Sequence, residues 1–339
     1  MKVLFSGRYD ENVLDRLRKS WEVVYLPTDP AKFRKSEDEV IALLQGVDVF
    51  VVEADEVTAK VLDACPQLKA IIPTRGSPVN IDVKAATAAG VLVCNTPGRN
   101  DRAVAELCVM LMTMVARNVV PAMEALRSGK WHTAPRGWVY LTYQGIELEG
   151  RTAGLVGLGA VGRQVAKRLQ GYEMKVLAYD PYLPQSVADT VGAQLVPLET
   201  LLRESDFVSM HVHTTPETQN MIGAEQFALM KPTAYFINTG RPGSVVEEAM
   251  LDALRTKRIA GGAFDVFHRE PLAPDDPIMS LSNVVLLPHI GGATYDVIRH
   301  QSVGAEANLA ALAKGELPPF VFNRDVLQSP GLRMVLSKG

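Results

Sequence analysis

Cysteine is scarce in this chain. Cys65, Cys94 and Cys108 lie far apart; they form no metal-spaced cluster, and their odd number argues against a disulfide framework. An excess of charge of one sign is also lacking. Thirty-five Lys and Arg face 38 Asp and Glu, a net charge of −3, which leaves no electrostatic footprint for nucleic acid or an anionic membrane. Long hydrophobic runs are missing too. The longest uncharged apolar stretch, 107–116, falls well short of the ~20 residues a membrane span needs. The opening MKVLFSGRYD is too weakly apolar for a signal peptide. These absences predict a soluble, cytoplasmic protein with no metal, membrane or nucleic-acid partner. Short-period repeats and low-complexity tracts are absent as well.

What is present is an ordinary globular composition: 339 residues, 47% hydrophobic and 22% charged. That suggests about two domains and a sizeable core. The most informative stretch is GLVGLGAVG. An apolar run over 152–156 leads into Gly157, Gly159 and Gly162 at G-x-G-x-x-G spacing, then into a helical pattern over 163–169. A second apolar run, 175–179, ends at Asp180. This is the layout of a dinucleotide site. The first glycine permits a tight turn, the second lets the backbone approach a pyrophosphate, and the third lets helix and strand pack closely. The helix N-terminus offers free N–H groups to the phosphates. Asp180 is placed to accept hydrogen bonds from the adenosine ribose. Glycines at this spacing also mark plain tight turns; the strand, the helix and the acid together point to the cofactor.

The periodicity before this motif predicts strands at 3–6, 23–26, 47–52, 70–73 and 91–94. Helices are predicted at 12–17, 57–64 and 83–89, with a capping box from Ser36 to Glu39 opening another. Near-continuous apolar strands suit a parallel sheet covered on both faces. Helical patterns then cover 100–116 and 119–128. The segment 131–145 fits neither period and is expected as an ordered aromatic loop. After the motif come strands at 207–212, 234–239, 261–266 and 284–287, a helix from about 294 to 312, and a strand-like piece at 320–322. The class is α/β, with two parallel-sheet halves.

Active groups of open α/β sheets gather at the carboxyl ends of strands. Arg241, Glu270 and His289 each follow a strand of the second half. Singly, each reads as an ordinary loop residue. Together they suit hydride chemistry on a 2-hydroxy or 2-oxo acid. A histidine moves the hydroxyl proton, a carboxylate orients the imidazole, and a guanidinium grips the substrate carboxylate in bidentate fashion. His211 and His213, with Val212 between them, lie at a strand end and are placed to line the cofactor cleft.

The segments NIDVKAATAAG, NTPGRN, AVAEL, GLVGLGAVG, YDPY, TPET, INTGRPG, DVFHREPL and PHIGGAT run in order from about residue 81 to 323. In them the chain resembles the D-isomer-specific 2-hydroxyacid dehydrogenases, a family that includes phosphoglycerate dehydrogenases and glyoxylate/hydroxypyruvate reductases. The resemblance implies NAD as cofactor and Arg241, Glu270 and His289 as the catalytic set. It implies cofactor contacts at Ala160, Val161, Asp180, Thr239 and Gly240, and at Asp265 for the nicotinamide carboxamide, with backbone contacts near Gly291 and Gly292. It also implies a Rossmann domain, 101–293, inserted into a flavodoxin-like substrate domain formed by 1–100 and 294–339.

Two departures bear on the substrate. Pro242 stands where the family usually has Gly, and it pushes Arg241 toward extended backbone. The loop 74–80, TRGSPVN, replaces a glycine-rich one whose backbone N–H groups, here near Gly76 and Ser77, bind the substrate carboxylate in the family. Arg75 adds a cation and Asn80 an amide, which suits a hydroxylated or phosphorylated acid such as a glycerate or an aldonate. Trp138 is expected to reach a partner's active site in a homodimer. A solvated Arg75 and an interface-filling Trp138 are the plain alternatives. No regulatory domain is expected after the returning helix. An NAD-sensing corepressor-like protein and formate or phosphite oxidation remain as other readings.

Overall fold

The computed structural model describes residues 1–336. The chain divides into two compact units, Met1–Asn100 with Thr294–Gly339, and Asp101–Ala293.

The first unit holds a five-stranded sheet of β1 (Lys2–Ser6), β2 (Glu22–Leu26), β3 (Val49–Val52), β4 (Ala70–Pro73) and β5 (Leu92–Val93). All pairings are parallel and the order is β2-β1-β3-β4-β5, the flavodoxin-like arrangement. Strands β3 and β4 are buried along their whole length, which is why their sequences are unbroken apolar runs. The crossover helix Glu37–Leu44 starts with the expected capping box: Ser36 N donates to Glu39 Oε2 at 2.8 Å, and Glu39 N to Ser36 Oγ at 3.4 Å. The helix Tyr295–Ala313 belongs to this unit. Its Ala305, Leu309 and Leu312 pack in one cluster with Val3, Phe5 and Leu14. The strand expected at 320–322 is reduced to one antiparallel bridge, Cys94 to Val321. Pro318 and Pro319 immediately before it carry no N–H to extend a ladder. Asn323 just after it instead clamps the edge, its Oδ1 accepting from Val93 N at 2.8 Å and its Nδ2 donating to Val91 O at 3.0 Å.

The second unit holds seven parallel strands: β6 (Thr152–Val156), β7 (Lys175–Tyr179), β8 (Ala193–Leu195), β9 (Phe207–Met210), β10 (Tyr235–Asn238), β11 (Gly261–Phe264) and β12 (Val284–Leu286). Their order is β12-β11-β10-β9-β6-β7-β8. The chain winds outward from β6 in both directions, the doubly wound arrangement of dinucleotide folds, with its reversal between β6 and β9. One face is covered by the helices Asp101–Ala116 and Ala160–Leu169, whose Cys108, Leu111, Met112, Val165, Ala166 and Leu169 are buried with Ala153 and Leu155 of β6.

The expected aromatic loop is corrected. Residues Lys130–Thr133 and Trp138–Thr142 form two short helices. Each follows a glycine in the left-handed region, Gly129 at φ +74° and Gly137 at φ +84°. Pieces of little more than one turn are too short to display a 3.6-residue period. Among the described residues no single helix is long and apolar enough to cross a membrane.

Candidate active site

The glycine-rich turn comes first, because it tests whether a dinucleotide fits. Gly157 has φ +97°, and a Cβ there would come within 2.9 Å of Val212 Cγ1 and 3.0 Å of the His211 carbonyl carbon. A Cβ on Gly162 would lie 2.3 Å from Gly157 O. Around Gly159, in contrast, nothing lies within 4 Å of where a Cβ would sit. Two glycines are therefore demanded by packing, and the middle one faces open space. Gly159 is also the N-cap of the helix Ala160–Leu169, with no side-chain cap. The first amides of that helix, from Ala160 and Val161 on, thus point into the open space, which is the geometry that receives a pyrophosphate. The residues fit the dinucleotide.

Asp180 follows β7 as expected. Its Oδ2 accepts the Leu158 amide at 3.0 Å and its Oδ1 the Tyr182 amide at 3.1 Å. The carboxylate is thereby fixed beside the glycine turn, and each oxygen keeps acceptor capacity for a ribose hydroxyl. Val212 is half-buried behind the turn and His213 is exposed. Burial, then the charge of Arg241, lowers the pKa of His213. Burial alone pushes His211 down to about 4, and neither of its ring nitrogens has a hydrogen-bond partner among the described residues.

After β10 the chain turns through Thr239, Gly240 and Arg241. The turn is organised by Asn238, 2% exposed. Its Oδ1 accepts from Gly240 N at 3.0 Å and its Nδ2 donates to Arg241 O at 3.3 Å. A Cβ on Gly240 would come 2.9 Å from Met210 O. Thr239 is 5% exposed and its buried hydroxyl has no partner among the described residues. Arg241 is extended, φ −138° and ψ 130°, with Pro242 opening a 3₁₀ turn, as the residue before a proline prefers. Its guanidinium is exposed, and Nη1 donates to Gly240 O at 2.8 Å. Asn238 had no part in the sequence reading; an amide ending an otherwise apolar strand was the available signal.

The centre of the site lies past β11 and β12. His289 Nδ1 stands 2.6 Å from Glu270 Oε2, and Glu270 Oε1 accepts the Phe267 amide at 2.9 Å. The histidine backbone is left-handed, φ +55°, a conformation that a non-glycine residue keeps only when its surroundings hold it there. Asp265, 1% exposed, supplies that hold. Its Oδ1 accepts Ile290 N at 2.8 Å and its Oδ2 Gly291 N at 2.7 Å. Burial raises the pKa of Asp265, against the pull of those two amides. Gly292 completes the turn and is half-buried. A neutral imidazole held through Nδ1 leaves Nε2 exposed to exchange a proton. The structure thus joins Asp265, Glu270 and His289, whereas no hydrogen bond or ion pair among the described residues links Arg241 to them. Among the described residues there is also no cluster of His, Cys, Asp or Glu that would hold a metal.

Of the remaining expected site residues, Gly76 and Ser77 are exposed, Arg75 is half-buried and Asn80 is 6% exposed, in the first unit. Asn80 Nδ2 donates to Asp55 O at 2.8 Å, so its amide supports the loop. Trp138 is half-buried and packs within its own segment, edge-on to Tyr143 at 5.3 Å and under Lys130 Nζ at 5.2 Å.

Comparisons with known proteins show the family. The family model described as the NAD binding domain of D-isomer specific 2-hydroxyacid dehydrogenases matches residues 109–291. A glyoxylate reductase from Thermococcus litoralis is 39% identical over 97% of this chain and 98% of its own length. A D-3-phosphoglycerate dehydrogenase from Archaeoglobus fulgidus is 38% identical over 93% of this chain and 58% of its own length. Among solved structures, the TT0316 protein from Thermus thermophilus is similar with a TM-score of 0.81 and 32% identity, over 95% of this chain and 99% of that one. With a nucleotide fold, a fitting glycine turn, the matching family model and a glyoxylate reductase matched nearly from end to end, the chain belongs to the D-isomer-specific 2-hydroxyacid dehydrogenases, NAD-dependent oxidoreductases acting on a CH–OH group.

Proposed function

We propose that the protein interconverts a small D-2-hydroxy acid and its 2-oxo acid, with His289 as general acid and base. The observation that carries this reading is the 2.6 Å pair of His289 Nδ1 and Glu270 Oε2. The open glycine turn at Gly159, the first amides of the helix Ala160–Leu169 and the Asp180 carboxylate would hold NADH, which when bound would supply hydride chemistry at the substrate's carbonyl carbon. His289 gives a proton from Nε2 to the carbonyl oxygen as charge builds there, and takes it back from the hydroxyl in the oxidative direction. Glu270 fixes the tautomer and stabilises the imidazolium that remains when the proton is held. Arg241, with four of its five N–H groups outside its own backbone bond, presents a fork to the substrate carboxylate. Asp180 selects NAD, because a 2′-phosphate would meet its carboxylate with like charge.

The protein works as a homodimer through the segment 119–143. Support comes from the apolar side chains this segment exposes: Leu126 at 58%, Trp131 at 58%, Tyr140 at 82% and Leu141 at 83%. Trp138 anchors this surface from beneath.

The deciding experiment follows NADH absorbance against glyoxylate, hydroxypyruvate, phosphohydroxypyruvate and sugar-derived 2-oxo acids. Turnover of at least one is expected. Tight NADH binding with no turnover of any would favour an NAD sensor instead.

A further inference from the structure

Arg241 has no direct link to Glu270 or His289, but the turn after Arg241 and the loop before Glu270 meet at His268. This histidine lies in the loop 266–271, two residues before Glu270. Its Nε2 sits 3.0 Å from the carbonyl oxygen of Val245, and its Nδ1 3.5 Å from Glu247 Oε1. Val245 caps the 3₁₀ turn Pro242–Ser244 that Arg241 opens, and Glu247 begins the helix Glu247–Arg255. A backbone carbonyl can only accept, so Nε2 carries a proton whether the ring is neutral or charged. The bond to Val245 therefore survives titration of the ring, whereas the pair with Glu247 needs Nδ1 protonated as well. Val245 is 1% exposed, which shields its carbonyl from water that would replace the imidazole.

From that bond the contacts run outward in both directions. On one side Val245 N donates to Pro242 O at 2.9 Å, and Ser244 Oγ donates to Arg241 O at 3.0 Å. On the other, the Phe267 amide beside His268 donates to Glu270 Oε1 at 2.9 Å, and Glu270 Oε2 meets His289 Nδ1 at 2.6 Å. Among the described residues no hydrogen bond or ion pair other than the two made by His268 joins 241–247 to 266–271. Packing is loose there too: Pro242, Val245, Phe267 and His268 share the wall of a cavity of about 10 Å³. Side chains facing a gap lose the contacts that would hold them in register, so the directed bond carries the alignment. An imidazole that merely ties a loop to the start of a helix would serve stability alone. His268 differs in that each segment it joins carries a group of the proposed reaction.

We propose that His268 is a positioning residue: it clasps the loop of Glu270 to the turn of Arg241, and so fixes the spacing between the guanidinium that holds the substrate carboxylate and the pair that moves its proton. The inference rests on the hydroxyacid reading for what is held and what is moved, while the clasp itself does not. Both groups must be aligned on one substrate at the same moment, so a small slip between them costs rate even though neither is removed.

The test compares the full chain with His268→Leu, which removes both contacts, and with His268→Gln, whose amide nitrogen reaches about as far as Nε2 and can donate to Val245 O. The first readout needs no turnover: the titration of the His289 ring followed by NMR. In His268→Leu its midpoint should move toward lower pH, in the same direction as in Glu270→Gln, because a loosened carboxylate stabilises the imidazolium less. In His268→Gln it should stay with the wild type. The second readout is kinetic. In His268→Leu, kcat/KM for the 2-oxo acid should fall roughly 2- to 12-fold, the worth of one hydrogen bond; His268→Gln should restore it, with KM for NADH unchanged in both. Lost stability in His268→Leu with an unmoved His289 titration would overturn the proposal. Equal kinetic losses in the two variants would overturn it as well, since the ring would then act by its bulk. A His289 titration that depends on His268, in a protein that turns over no oxo acid, would keep the clasp and reject the hydroxyacid reading. If His268→Leu fails to fold, His268→Ala takes its place in the same comparison.

Discussion

Asp265 and Gly291 are fitted to one another: Asp265 Oδ2 accepts the Gly291 amide at 2.7 Å, and a Cβ on that glycine would come within 2.9 Å of the same oxygen. The carboxylate is therefore a structural clamp on the turn that carries His289, whatever else it contacts.

Replacing Asp265 with Ala should strand the Ile290 and Gly291 amides and release the left-handed His289. One unsatisfied buried amide costs about 1–3 kcal/mol. Urea unfolding should show a loss of at least that order, and kcat should fall more steeply than KM for NADH rises. Unchanged stability with a raised KM for NADH would mean that Asp265 acts only as a nicotinamide ligand.

His289→Ala should reduce kcat by on the order of 10²–10⁴-fold while NADH binding, read by fluorescence, stays nearly intact. Glu270→Gln removes the negative charge 2.6 Å from the ring and should displace the pH–rate curve toward lower pH, because an imidazolium is then less favoured. A folded Glu270→Gln enzyme with the original curve would show that this pairing does not govern the proton.

Asp180 should make the enzyme prefer NAD to NADP. The ratio of kcat/KM for the two cofactors checks this, and a ratio favouring NADPH would contradict the role given to its carboxylate. Asp180→Ser should move the ratio toward NADP.

His211 should give the protein an acid-sensitive stability. The unfolded chain protonates this histidine near pH 6.5, whereas burial lowers the folded value to about 4. Between those values the unfolded state binds a proton the folded state refuses, so stability is fully present above the upper value and is lost as pH falls. The loss at pH 5 relative to pH 7 should be about 2 kcal/mol. Urea midpoints for wild type and His211→Leu at the two pH values test it. Parallel declines would show that other groups carry the acid sensitivity.

Much of this was legible from residue order. Strands β4, β6 and β7 stand where their apolar runs end, because buried parallel strands carry their signal in every residue. The glycine turn, Asp180 and the trio Arg241, Glu270 and His289 were legible as types at strand ends. Hidden from that reading were β8 and the short helices Gln185–Asp189 and Leu198–Glu204, which are too brief to show a period. The clamp on His289 was hidden for another reason. Asp265 and Ile290 lie far apart in sequence, and only the parallel neighbours β11 and β12 bring them together. Buried Gln301 likewise accepts from Arg99 Nη1 at 2.6 Å and donates to Arg8 O at 2.6 Å because the helix Tyr295–Ala313 lies in the first unit.

That helix has a further bearing on how the chain is made. The interior of the first unit draws Val3, Phe5 and Leu14 from one end of the sequence and Ala305, Leu309 and Val326 from the other. A ribosome delivers the former long before the latter, and domains ordinarily fold as they emerge. The first hundred residues hold all five strands of their sheet but lack the core residues Ala305, Leu309 and Val326 and the clamp on β5, whereas 101–293 supplies its whole interior from within itself. The inserted unit can therefore complete its interior before the amino-terminal hundred residues complete theirs.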